Sequence, residues 1–248
     1  MTRRRWIADT WDEATASLTG EQASHLIRVL RAQAGMEFDI VAGDRVWHGI
    51  IAGITGDQVR FNLVAEVESD PALPVTLLLS VFKFDRMEWT IEKATELGVE
   101  RIVPVIARRT EKHLGQSAAG RVERWRKIAH QAAQQSRRSD VPVIEDPLPL
   151  KTAAKREGEA VKLLLAEQER TTTLRRALVE SLCLEEGMTG CDELLPVRLA
   201  VGPEGGWTAE EEALFDSEGW KAVSLGPRIL RAETAAITAL AVVAAMLE

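Results

Sequence analysis

The chain has 248 residues, 46% apolar and 28% charged, long enough for one large domain or two modest ones and ordinary for a soluble globular protein. Its longest apolar segment, residues 235–247, is too short to span a bilayer, which excludes a membrane-spanning helix. Met1 to Arg5 leads into no apolar run before Asp9 and Asp12, so no secretion signal is expected and the expected location is cytoplasmic.

Residues 1 to about 70 read as a small β-rich module. The spacing predicts a helix over 19–31, with Leu26, Ile27 and Leu30 as its buried stripe and Arg28 and Arg31 on another face. His25 reads as a packed or surface histidine. Val41-Ala42-Gly43-Asp44 and Ile54-Thr55-Gly56-Asp57 are turn signals that delimit strands over 45–54 and 58–67. The Pro-bearing stretch from Glu68 to Pro74 is the best boundary in the chain, giving one domain over 1–70 and a second over 75–248.

From residue 75 the pattern alternates. Strands are predicted over 75–82, 101–106, 161–165, 197–201 and 222–225, and helices over 89–97, 121–136, 171–182 and 232–247. Thr208-Ala209-Glu210-Glu211 has capping-box spacing, so a further helix starts there with Thr208 as its N-cap. Fully apolar strands alternating with helices predict an α/β fold, its parallel sheet covered on both faces. Cys183 and Cys191, eight apart, match no zinc or redox spacing and read as two reduced thiols. The last helix carries Ile237, Leu240, Val243 and Leu247 on one face, with Ala236, Val242 and Met246 elsewhere. A helix so apolar has to be enclosed.

The net charge of −7 argues against a nucleic-acid partner, but its distribution argues back. Residues 101–138 hold ten basic and two acidic side chains. Arg108, Arg109 and Lys112 precede the 121–136 helix and Arg137 and Arg138 end it, the footprint expected of a phosphate-binding face. The competing reading is a helix solvated by its own arginines. With Arg28 and Arg31 from the first module, the candidate RNA contacts are Arg28, Arg31, Arg109, Arg137 and Arg138.

Two glycine-bearing runs carry the chemistry: Gly202-Pro203-Glu204-Gly205-Gly206 and the run from Leu225 to Thr234, each following a strand and opening into a helix. They present backbone N–H and C=O groups with little obstruction, which suits a flat polar cofactor such as a nucleoside. The alternative is a pair of tight strand-to-helix turns. The acidic turn after Thr208 would repel phosphate, no Gly-Lys-Ser/Thr follows, and no Gly-x-Gly-x-x-Gly is present. Neither a P-loop nor a dinucleotide fingerprint is therefore expected. The four histidines are scattered, and no metal site is expected.

These runs, together with Lys83-Phe84-Asp85-Arg86-Met87-Glu88, the stretch from Ile91 to Val99, Arg124-Trp125 to Arg138 and, more weakly, His25-Leu26-x-x-Val29-Leu30-Arg31, resemble a known family in order and spacing over essentially the whole chain. It is the RsmE family of 16S ribosomal RNA methyltransferases, in the SPOUT superfamily of trefoil-knot enzymes. One departure is Gln134, where the family pattern has an acid. The resemblance implies a PUA-like small β-barrel domain, then a parallel-sheet SPOUT-type methyltransferase domain with its C-terminal helix threaded through a knot. It also implies a homodimer, S-adenosyl-L-methionine as cofactor, and methylation of N3 of a uridine in 16S rRNA of the small ribosomal subunit. The expected cofactor contacts are Gly202, Pro203, Glu204, Gly205, Leu225, Gly226, Ile229 and Leu230.

Uridine N3 carries a proton at neutral pH and is a poor nucleophile. The proton must be removed, or the resulting anion stabilised, with the nitrogen held in line. Arg231, always charged and a forked donor, is the first candidate for stabilising the anion; its alternative role is an ion pair with Glu233 or Glu204. Glu233 and Glu204 are candidates for the proton acceptor, or for holding the cofactor's amine or orienting Arg231. Two other readings remain open: a SPOUT enzyme acting on a ribose 2′-hydroxyl, and a non-catalytic RNA-binding or ribosome-assembly factor.

Overall fold

The computed structural model describes residues 5–43, 45–182 and 195–247, so Cys183 and Cys191 lie outside the described residues. The chain divides into two compact units, Met1–Ala72 with Ala133–Asp140, and Leu73–Ala132 with Val141–Glu248.

The first unit contains β1 (Arg5–Ile7), β2 (Thr10–Trp11), β3 (Thr15–Leu18), α1 (Gly20–Arg28), β4 (Glu37–Ala42), β5 (Arg45–Thr55) and β6 (Gln58–Val67). Its six strands form one sheet in the order β1-β4-β5-β6-β3-β2, antiparallel except for the β1–β4 pair. Register shifts between β5 and β6 at His48/Gly49 and Ile51/Gly53 curl that sheet. Leu26 and Ala23 of α1 pack into its concave core with Leu18, Ile40, Ile51, Val59 and Phe61. The helix stops three residues short of its predicted end. Arg31 adopts φ +51, and the Ala32 amide donates to Leu26 O, six residues back, at 3.0 Å. An arginine in the left-handed position thus turns the chain back onto the helix end.

The second unit runs β7 (Leu73–Ser80), α2 (Phe84–Glu96), β8 (Val99–Ile106), α3 (Lys112–Ser117), α4 (Val122–Gln135), β9 (Val143–Ile144), β10 (Leu148–Pro149), α5 (Leu150–Ala154), β11 (Val161–Leu165), α6 (Leu174–Leu182), β12 (Val197–Val201), α7 (Ala209–Ser217), β13 (Lys221–Val223) and α8 (Ala232–Leu247). The last residues of α4 belong to the first unit. The sheet is parallel throughout, in the order β10-β8-β7-β12-β11-β13 with β9 beside β8. Both faces are buried, which explains the unbroken apolar strands. Leu77 and Leu79 of β7 join a core with α2, α4, α6 and α8, while Leu78 joins a second core with α5 and α7. The short elements β9, β10, α3 and α5, two to six residues each, carry too little periodicity to be read from sequence.

Helix α8 packs on α2 and α6 and across β7 and β12. Leu240 and Val243 are fully buried, each contributing about 1.5–3 kcal/mol of apolar transfer. Ile237 and Leu247, expected on the same face, lie half-buried at its margin, and Thr234, Ala241 and Ala245 are exposed. The chain therefore encloses this helix on one side only.

Candidate functional site

β12, β11 and β13 are adjacent and parallel, and the loops leaving their C-terminal ends surround a cavity of about 360 Å³. In open parallel sheets that end is where ligands bind. Every residue expected to hold the cofactor lines this cavity: Gly202, Pro203, Glu204 and Gly205 from one loop, and Leu225, Gly226, Ile229 and Leu230 from the other. The third wall, Leu165 at the end of β11 with Ala166, Glu167, Gln168 and Arg170 beyond it, has no counterpart among the sequence expectations. It contains no glycine or proline, and only its place between the other two loops marks it.

The glycines of the first loop are needed for different reasons. A Cβ on Gly202 would lie 3.2 Å from the Trp207 indole, and one on Gly205 would lie 3.3 Å from Cδ of Arg109. Gly206 adopts φ +70 and donates its amide to Pro203 O at 2.8 Å. Trp207 Nε1 donates to Leu165 O at 3.1 Å, tying the first loop to the third. Its ring begins an edge-to-face series through Phe215 and Trp220, with centroids 5.0 and 5.1 Å apart. Thr208 and Glu211 form the predicted capping box at the start of α7.

The other two loops are held by polar contacts. Arg170 Nη1 donates to Pro227 O at 3.3 Å. The Glu169 carboxylate accepts the Thr171 hydroxyl at 2.6 Å and the Thr172 and Thr171 amides at 2.8 and 2.6 Å. Those donors, the hydroxyl foremost, pull the Glu169 carboxyl down to about 2.

The charged centre does not show the alternative pairing of Arg231 with Glu233 or Glu204. Arg86, in the first turn of α2, places Nη1 3.0 Å from Glu204 and 3.5 Å from Glu233, and Lys83 Nζ lies 4.0 Å from Glu204. Glu233 is only 7% exposed, and its Oε2 is buried without a partner among the described residues. Arg231 lines the cavity, is exposed, and makes no ion pair among the described residues. The guanidinium that bridges the two carboxylates thus comes from α2. Position 86 carried the family resemblance, but no local pattern pointed to that role.

The candidate RNA contacts separate. Arg28 and Arg31 are exposed at the end of α1, and Arg137 is exposed at φ +61 beyond α4. Arg138 is buried with its guanidinium paired to Asp140, so its charge is spent inside the fold. Arg109 is bonded to the first loop, through Gly205 O and Trp207 O. Gln134, at the family departure, donates its side-chain amide to Gln22. The basic surplus of residues 101–138 is partly neutralised by distant acids. Arg101 meets Glu145 at 2.8 Å, Arg124 meets Glu88 at 2.6 Å, and Arg126 meets Asp146 at 3.2 Å. Among the described residues no group of three or more His, Cys, Asp and Glu side chains could hold a metal, and no helix is long and apolar enough to cross a membrane.

Comparison with known proteins agrees with this geometry. The family described as RNA methyltransferase domain matches residues 68–244, and that described as RNA methyltransferase PUA domain matches residues 18–64. The chain is 34% identical over 237 residues to ribosomal RNA small subunit methyltransferase E of Synechocystis, covering 95% of this chain and 75% of that protein. It is 31% identical over 238 residues to the Bacillus subtilis protein of the same name, covering 92% and 89%. The crystal structure of a ribosomal RNA small subunit methyltransferase E from Neisseria gonorrhoeae bound to S-adenosyl methionine superposes with a TM-score of 0.79 at 28% identity, covering 97% of this chain and 96% of that one. A putative methyltransferase from Legionella pneumophila in complex with the same cofactor gives 0.81 at 28% identity, covering 99% and 98%.

Proposed function

Because the chain belongs to the ribosomal RNA small subunit methyltransferase E family, we propose that it methylates a base of small-subunit (16S) rRNA from S-adenosylmethionine, at N3 of a uridine. The observation that carries this reading is the cavity between three strand-end loops, with Arg231 at its wall and in no ion pair among the described residues.

The residues fit the cofactor. Gly202 to Gly205 and Leu225 to Leu230 offer backbone groups for the nucleoside and amino-acid portions, and Leu225, Ile229 and Leu230 offer apolar walls. When bound, S-adenosylmethionine supplies the electrophilic methyl group. The protein's own side chains handle the uridine proton. In this reading Glu204, which lines the cavity, takes the N3 proton, and Arg231 stabilises the imide anion left behind. Arg86 holds Glu204 and the buried Glu233 together at the edge of the site.

The rest of the reading extends to the whole chain. Residues 1–70 serve as the RNA-binding domain, with phosphate contacts from Arg28, Arg31 and Arg137, and residues 75–248 as the methyltransferase domain. The strand order supports a trefoil knot, because β12 enters the sheet between β7 and β11 and α8 then packs across β7 and β12. The exposed strip of α8 supports a homodimer, and the proposed location is the cytoplasm. Nucleoside mass spectrometry of 16S rRNA incubated with the protein and S-adenosylmethionine tests the activity: N3-methyluridine is expected, and a 2′-O-methyl nucleoside or no product contradicts the reading. Arg231→Ala should lower the methylation rate about 10²–10³-fold, the cost of removing one preorganised charge-stabilising donor, while cofactor titration stays near the parent's.

A further inference from the structure

Arg109 lies in the loop between β8 and α3, in the stretch whose charge reads as an RNA face. Its Nη1 donates to Gly205 O at 2.6 Å and to Trp207 O at 3.0 Å. Its aliphatic stem fills the space that any side chain on Gly205 would need, 3.3 Å from the Cβ position. The neighbouring Arg108 amide donates to Glu211 Oε1 at 2.7 Å, while Glu211 Oε2 accepts the Thr208 amide at 2.9 Å. Two consecutive residues thus grip the 205–208 segment at both ends, one through a cation on its carbonyls and one through a buried carboxylate on the helix start.

The segment needs that grip. Gly205 and Gly206 have no side chains to restrain them, and the turn has one internal backbone bond, from Gly206 to Pro203. A loop that binds by its backbone loses affinity when it must be ordered at the moment of binding. We propose that Arg109 is a positioning residue that locks the Gly205–Trp207 backbone in its cofactor-binding shape, and not a contact to RNA phosphate. This rests on the cofactor reading above. A charge-assisted bond to two carbonyls at once explains why a long forked cation stands beside a glycine.

Three measurements on Arg109→Ala and Arg109→Lys test it. In the ligand-free protein, amide exchange at Gly206 and Thr208, the segment's hydrogen-bonded amides, should rise at least tenfold in the alanine variant. Its S-adenosylmethionine affinity should fall at least tenfold, and lysine, which keeps a cation near the carbonyls, should recover part of both. The slope of log K against log salt for a 16S rRNA fragment should stay at the parent's value. A slope lowered by about one identifies a phosphate contact and overturns the proposal. Exchange and cofactor affinity within twofold of the parent's overturn it as well. A parent protein that binds no S-adenosylmethionine defeats the cofactor reading instead, and the exchange measurement then still decides whether Arg109 is a latch.

Discussion

Arg86 lies within ion-pair distance of two carboxylates, Glu204 and Glu233. Removing it strands Glu233, a buried carboxylate, without its cation. Arg86→Ala is expected to destabilise the protein by about 1–3 kcal/mol, below the full penalty for breaking a buried pair because Arg86 is itself partly exposed. Adding Glu233→Gln should return much of that loss, and a double variant whose urea midpoint shows simple additivity would contradict the coupling. Gly202 makes a second residue-level case. Valine there must displace the Trp207 indole that packs 3.2 Å from the Cβ position. Gly202→Val should cost about 1–3 kcal/mol of stability by overpacking and alter the near-ultraviolet dichroism of tryptophan, with cofactor affinity falling as the loop shifts. An unchanged tryptophan signal would count against this account.

Of the loops that build the cavity, the two after β12 and β13 are legible because their glycines are local demands. The loop after β11 is not, because its shape comes from Glu169 folding over its own threonines. The Glu169 carboxyl is depressed from 4.5 to about 2, so its charged form is favoured in the fold. Its contribution is fully present above about pH 4.5 and is lost as pH falls toward 2. The stability difference between the parent and Glu169→Gln should therefore be largest at neutral pH and shrink through that window. A difference that stays constant from pH 7 to pH 2 would sink this assignment. The terminal helix shows a related limit. Its apolar composition announced enclosure, yet only packing decided that Leu240 and Val243 face the chain's own core and that Ala241 and Ala245 do not.

That division separates two outcomes for the assembly. Leu240→Asp puts an unpaired charge into the core and should cost at least several kcal/mol, lowering the yield of folded protein. Ala241→Arg touches only the exposed strip, so it should leave the melting temperature of each chain nearly unchanged while converting the proposed dimer to monomer in sedimentation. A parent that sediments as a monomer at micromolar concentration would remove the dimer from the reading. The longer strands and helices of the second unit and their order, the Thr208–Glu211 capping box and two of the three cavity loops followed from the sequence itself. Each depends on hydrogen bonds and side-chain spacings spanning a few consecutive residues, or on the burial that an apolar run enforces. The partner of Glu204 could not be found that way, because Arg86 lies 118 positions away. Nor could the charge of residues 101–138, which counts as a basic face until folding brings Glu88, Glu145 and Asp146 against its arginines. Ion pairs form between whichever charges the packing of apolar strands and helices happens to place within a few ångströms. Which guanidinium stays available for chemistry is therefore decided by tertiary structure alone.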